Sequence, residues 1–231
     1  MSDLDLQKQN AAAAAQDFIS AGMVVGLGTG STAAHFVRQL AARRLKLTCV
    51  STSLATAALA QELGMRVVSP DMVTSIDVTV DGADEADREF RSIQGGGAAL
   101  LREKIVAASS KAMVVIADEA KLVPTLGKFP LPVEVTPFAR TLTARKVEAA
   151  LAAGDVSGTA VVLRERAPGE PLVTDGGNNI LDCRCERIGK PEALADALAS
   201  IPGVVDHGLF LGLATTLILG RNEGAQVLRR A

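Results

Sequence analysis

Short apolar runs alternate with helical periodicity through about residue 125 of this chain. The runs predict strands near 23–27, 47–50, 66–69, 76–80 and 112–117, and the 3.6-residue spacing between them predicts helices near 31–43, 53–63 and 98–109. A further helix is expected over the five-alanine run of the N-terminal segment, with Phe18 and Ile19 near its end and Gly22 just beyond. Strands alternating with helices argue for an α/β fold built on a parallel, doubly wound sheet. Such sheets gather their ligands at the carboxyl ends of the strands.

The pattern changes at Gly127-Lys128-Phe129-Pro130-Leu131-Pro132-Val133-Glu134-Val135, where two prolines punctuate an extended segment. A helix is expected at about 138–152 and a strand at about 159–163. Turns follow at Pro168-Gly169-Glu170-Pro171 and Asp175-Gly176-Gly177-Asn178, then a strand Ile180-Leu181-Asp182-Cys183 and a helix from Pro191 to Ser200. This reads as a smaller α+β insert over residues 127–203. His207-Gly208-Leu209-Phe210-Leu211 and Thr216-Leu217-Ile218-Leu219-Gly220 are again strand-like and are expected to rejoin the first sheet. The larger domain would then be discontinuous, residues 1–126 plus 204–231.

Composition narrows the function. With 231 residues, 48 % of them hydrophobic, the chain can bury a sizeable core. A net charge of −2 provides no basic field for nucleic acid, and the absence of Trp and Tyr removes the aromatic platforms that stack bases. No apolar run is long enough to span a membrane. The N-terminus lacks the basic start and apolar middle of a signal peptide, and the odd count of three cysteines (Cys49, Cys183, Cys185) suits a reducing cytoplasm. Cys183 and Cys185 have no nearby partners for a metal and are expected to be packing residues.

The strongest chemical signal is Val24-Val25-Gly26-Leu27-Gly28-Thr29-Gly30-Ser31-Thr32-Ala33. A buried strand runs into alternating glycines, then hydroxyl residues, then a helix. Backbone amides at that helix start and the helix dipole favour an anion, most simply a phosphate. Thr29, Ser31 and Thr32 can add donors. No lysine follows Gly30, so a P-loop is excluded, and the third glycine comes one residue too early for a dinucleotide fingerprint. The next strand ends in Ser51-Thr52-Ser53 where a dinucleotide fold would place an acid, which suits a second phosphate or sugar contact better than NAD.

Three further clusters carry chemistry. Val80-Asp81-Gly82-Ala83-Asp84-Glu85-Ala86-Asp87 delivers carboxylates from a strand end into a loop; a solvated acidic loop and a Mg²⁺ site are the rival readings. Gln94-Gly95-Gly96-Gly97 precedes a helix and forms a second backbone nest, with Glu103 about two turns into that helix. Lys121 follows the strand-like run at 112–117 and could bring a cation to the phosphate. Neither His35 nor His207 lies in a carboxylate-rich motif, so Asp or Glu is the expected proton carrier. Moving a proton between adjacent carbons of a sugar phosphate needs such a set: a base, donors for enediolate oxygens and a remote phosphate that positions the substrate.

On these residues the chain resembles the ribose-5-phosphate isomerase A family. Gly28-Thr29-Gly30-Ser31-Thr32-Ala33, Val80-Asp81-Gly82-Ala83-Asp84-Glu85, Gly95-Gly96-Gly97-Ala98-Ala99-Leu100 with Arg102-Glu103-Lys104, and Leu126-Gly127-Lys128-Phe129-Pro130-Leu131-Pro132-Val133-Glu134-Val135 are similar to that family's motifs. So are Asn179-Ile180-Leu181-Asp182 and Ile201-Pro202-Gly203-Val204-Val205. The resemblance implies an aldose–ketose isomerase of the pentose phosphate pathway with no metal or other cofactor. It also implies a homodimer with a Rossmann-like domain and a smaller α+β domain. Glu103 would shuttle the proton between C1 and C2, while Asp81 and Asp84 would bind sugar hydroxyls and assist ring opening. Thr29, Gly30, Ser31, Thr32 and Lys121 would hold the phosphate end. Gly82 and Ala83, with Gln94, Gly95, Gly96 and Gly97, would complete the substrate site.

One position departs from the family pattern: lysine usually precedes the triple glycine, and here it is Gln94. Glutamine keeps donors but loses the charge. Isomerisation is therefore expected to be slower or to draw on another cation. Two alternatives stay open at this point: an isomerase or hydrolase of another sugar phosphate, and a non-catalytic sugar-phosphate sensor.

Overall fold

The computed structural model describes residues 2–230. Met1 and Ala231, the ends of the expected larger domain, lie outside the described residues. The chain forms a mixed α/β structure with a central, mostly parallel sheet and additional small sheets. It divides into two compact units: Met1–Ala83, Arg102–Leu122 and Gly212–Ala231 form the first, and Asp84–Leu101 with Val123–Leu211 form the second.

The first unit is built on a six-stranded sheet. Thr48–Ser51, Val24–Leu27, Val78–Gly82, Met113–Asp118 and Thr216–Arg221 run parallel in that spatial order, and Gly224–Arg229 closes the far edge antiparallel. Val24–Leu27 leads outward to Thr48–Ser51, whereas Val78–Gly82 returns to its other side, so the winding reverses beside Val24–Leu27. A crevice opens at the carboxyl end of such a reversal. The inner parallel strands are buried and mostly apolar, as parallel strands covered on both faces must be.

One face carries the helices Asp3–Ala15, Ser31–Ala42 and Leu54–Glu62, whose Ala11, Ala15, Phe36, Leu40 and Ala60 meet Val25, Leu27, Val80 and Ile116. The alanines let the first helix lie close to the sheet: a Cβ on Gly220 would collide with the Gln7 carbonyl oxygen and stand 3.0 Å from the Ala11 nitrogen. On the other face Val106, from the Leu100–Ala108 helix, packs with Val50 and Ile76.

The second unit contains a four-stranded antiparallel sheet in the order Val204–His207, Leu131–Val135, Asn179–Arg184, Ala160–Leu163. Helices Arg140–Ala153 and Pro191–Ala199 contribute Val147, Leu151, Leu194 and Leu198 to its core. A small sheet pairs Leu209–Phe210 with Ser92–Ile93 and the latter with Glu85–Ala86.

Three elements differ from expectation. Residues 66–69 make no strand: Val67 forms one bridge to Cys49, and Pro70, which lacks an N–H, then opens a short 3₁₀ turn. Residues 207–211 do not rejoin the first sheet. Gly208 donates to the Pro132 carbonyl at 2.7 Å and the flanking pairs are made inside the second unit. Gly224–Arg229, an unanticipated edge strand, forms through a hairpin after Arg221. The compact units accordingly place residues 84–101 and 204–211 with the second body, because their strand partners lie there.

Candidate active site

In the first unit the site is assembled from strand ends. After Leu27 the backbone turns through Gly28, whose amide donates to the Val80 carbonyl at 2.9 Å. A Cβ at Gly28 would collide with the Asp81 carboxylate and come within 2.5 Å of the Asp81 Cα, so only glycine allows this approach. Asp81 is buried, and its Oδ1 accepts from the Thr29 amide at 3.0 Å and from the Gly82 amide at 2.7 Å. Carboxylate and glycine loop thus fix one another.

Gly30, at φ 104°, caps the Ser31–Ala42 helix without a side chain. The helix start is therefore not blocked by an N-cap hydroxyl or carboxylate, which suits an anionic ligand. Lys8 Nζ donates to Ser31 Oγ at 3.0 Å, which brings an ammonium to that helix start. In the sequence Lys8 is marked only as the lone cation of the Asp3–Ala15 helix, at its sixth residue.

Thr29, Ser31 and Thr32 were expected to offer hydroxyls to the ligand. Thr29 Oγ1 is directed inward instead: it donates to Ser53 Oγ at 2.9 Å and shares a hydrogen bond with Thr52 Oγ1 at 2.8 Å. Thr56 Oγ1 donates to the Gly28 carbonyl at 3.0 Å, and Thr52 Oγ1 to that of Leu27 at 3.1 Å. Thr52, Ser53 and Thr56 are buried. The hydroxyls at the end of the second strand brace the loop.

Glu103 is buried at 4 % exposure on the Leu100–Ala108 helix. It lies one turn before Val106, on the same helical face. The helix crosses between the parallel strands Val78–Gly82 and Met113–Asp118, so it runs against them. Glu103 is therefore nearer than Val106 to the carboxyl edge that carries residues 28–32 and Asp81. Lys121 ends the short 3₁₀ turn Glu119–Lys121, directly after the Met113–Asp118 strand and at the same edge.

The second unit holds the remaining candidates. Asp84 Oδ2 accepts from the Gly96 amide at 2.7 Å, and the Asp84 amide donates to the Ile93 carbonyl at 2.8 Å. The triple glycine is not itself a helix N-terminus. Ala98, at φ 62°, breaks the chain direction, and the helix starts only at Leu100. Gln94 is buried, with Nε2 donating to Ser92 Oγ at 2.9 Å. The acidic cluster divides by role. Glu85 accepts from the Gly127 and Phe129 amides at 2.7 and 2.6 Å, and Asp87 from Arg91 Nε at 2.7 Å; both are structural. Among the described residues no three His, Cys, Asp or Glu side chains are grouped to hold a metal ion. No helix among them is long and apolar enough to cross a membrane.

The family model for Ribose 5-phosphate isomerase A (phosphoriboisomerase A) matches residues 48–224. A Ribose-5-phosphate isomerase A of Maricaulis maris is 52 % identical over 226 residues, covering 96 % of this chain and 97 % of the relative. One of Bradyrhizobium diazoefficiens is 50 % identical over 234 residues, covering 99 % and 97 %. The crystal structure of ribose 5 phosphate isomerase A from Neisseria gonorrhoeae superposes with a TM-score of 0.91 at 39 % identity, over 100 % of this chain and 99 % of that one. A D-ribose-5-phosphate isomerase solved in complex with phospho-erythronic acid gives 0.92 at 36 % identity, over 99 % and 100 %.

Proposed function

Because the chain belongs to the ribose 5-phosphate isomerase A family, we propose that Glu103, Asp81 and Asp84 carry its reaction, the interconversion of D-ribose 5-phosphate and D-ribulose 5-phosphate. It is an aldose–ketose isomerase of the non-oxidative pentose phosphate pathway. The observation that carries the assignment of roles is the burial of Glu103 in the same compact unit as the glycine loop and Asp81.

The phosphate of the open-chain sugar sits at the Ser31–Ala42 helix start, held by amides of residues 30–32 with Lys8 and Lys121 as cations. This remote contact positions the two reacting carbons. Glu103 takes the proton from C2 of the aldose and returns it to C1. Asp81 and Asp84 hold the hydroxyls and move protons on the sugar oxygens, while Gly95, Gly96 and Gly97 line the reacting end and the Gly97 amide stabilises the enediolate. Gly82, Ala83 and Gln94 line the same substrate. Phospho-erythronic acid, with which the related isomerase was solved, has the phosphate-bearing chain and terminal anion that such a site would hold.

The same reading makes the protein a metal-independent homodimer of the reducing cytoplasm. Exposed Phe138 and Leu142 support self-association, and three buried free thiols suit that compartment. EDTA-treated protein mixed with ribose 5-phosphate is expected to form ribulose 5-phosphate at the untreated rate. Activity that disappears with EDTA and returns with Mg²⁺ would overturn the metal-independent mechanism, and sedimentation as a monomer would overturn the dimer.

A further inference from the structure

Arg164 directly follows the Ala160–Leu163 strand of the second unit, and its side chain is only 14 % exposed. Asp182 grips it at two points, Nε to Oδ2 at 2.9 Å and Nη2 to Oδ1 at 2.5 Å. The remaining nitrogen, Nη1, donates to two consecutive carbonyls, Gly95 O at 2.9 Å and Gly96 O at 3.1 Å. The planar fork makes this three-way hold possible; a lysine ammonium could not reproduce it.

Those two oxygens belong to the peptides whose N–H groups are Gly96 and Gly97. In a trans peptide the C=O and N–H point in opposite directions. A guanidinium behind both oxygens therefore turns both amides away from itself, and the Gly96 amide does meet Asp84 Oδ2 at 2.7 Å. A cation on the oxygen side also polarises the peptide and strengthens its donor. Gln94, the side chain leading into the turn, brings no charge. Its Nε2 is engaged by Ser92, and its Oε1 has no hydrogen-bond partner among the described residues.

Resting on the isomerase reading, we infer that Arg164, oriented by Asp182, is a positioning residue that supplies positive charge to the turn of residues 95–97. It aims and polarises the Gly96 amide, which holds Asp84, and the Gly97 amide, which it turns toward the oxygens of the reacting end of the substrate. It acts through the backbone and touches neither substrate nor the transferred proton.

The test is steady-state kinetics with ribose 5-phosphate, together with amide hydrogen exchange, on Arg164→Gln, Arg164→Lys and Arg164→Gln/Gln94→Lys. Removing one direct oxyanion donor costs about a hundredfold or more in kcat, so loss of polarisation one bond behind the donors should cost about tenfold. Arg164→Lys keeps the charge without the fork and should fall between wild type and Arg164→Gln. Exchange at Gly96 and Gly97 should quicken in both single variants. Gln94→Lys, which returns a cation to the turn from the other side, should recover part of the lost kcat. Unchanged kcat in Arg164→Gln would overturn the inference. So would a loss that follows melting temperature alone and that Gln94→Lys leaves untouched. Should Arg164→Gln fail to fold, Arg164→Lys and Asp182→Asn decide by the same readouts. A wild type that does not turn over ribose 5-phosphate would refute the isomerase reading instead, and the exchange rates would still report whether Arg164 holds the turn.

Discussion

The backbone amide of Thr29 donates to Asp81 Oδ1 at 3.0 Å, so the glycine loop and the strand that presents a carboxylate form one rigid piece. Gly28 makes that contact possible. Gly28→Ala forces its new methyl into Asp81, backbone included. We expect a stability loss of about 1–3 kcal/mol and a fall in activity larger than that loss explains, since overpacking here displaces both site elements. Thermal melts beside kcat/KM check this; wild-type kinetics would disprove the coupling.

Glu103→Gln preserves shape and removes the base. Loss of general base catalysis lowers kcat by about 10²–10⁴-fold, with substrate still bound and the fold intact. A variant that keeps more than a tenth of wild-type turnover would move the proton transfer to Asp81 or Asp84.

Lys8→Met tests the cation at the Ser31–Ala42 helix start. A charge-assisted contact contributes about 1.5–3 kcal/mol, so KM should rise about tenfold or more while kcat changes little. Added salt should raise the wild-type KM and leave the variant nearly unmoved.

The cysteines give a pH-based prediction. Burial pushes the Cys49 thiol up to about 11 and the Cys185 thiol up to about 12, and raises Cys183 well above the ordinary range. At pH 8 the native protein then holds essentially no thiolate and should resist thiol reagents, which attack thiolate. Labelling should appear only as the chain opens, Cys183 and Cys185 together with the second unit and Cys49 with the first. Fast labelling of native protein at pH 8 would contradict this burial.

The helices and parallel strands of the first unit were legible because periodicity and burial agree there. The tight turn at Gly28 and the place of Asp81 at its strand end were legible because a strand-to-loop junction shows in the pattern itself. Arg164 and Lys8 were not, since single cations far from any motif acquire meaning only through the partners that folding gives them. The Gly224–Arg229 strand was missed because it lies at an edge with no buried apolar run, and is defined by its partner more than by its own pattern. The hydroxyls of Thr52 and Ser53 were read as ligand contacts because sequence shows where a donor lies along a strand and not which way it turns.

The close seat of the Asp3–Ala15 helix against Gly220 has a consequence for biosynthesis. The helix is made well before the Thr216–Arg221 strand. It can lie early against Ser31–Ala42 and the strands that follow, but its close seat on Gly220 forms only after that strand has left the ribosome, so the first unit closes late. A chain truncated at residue 211 should therefore be more open to protease in its first unit than the 231-residue chain.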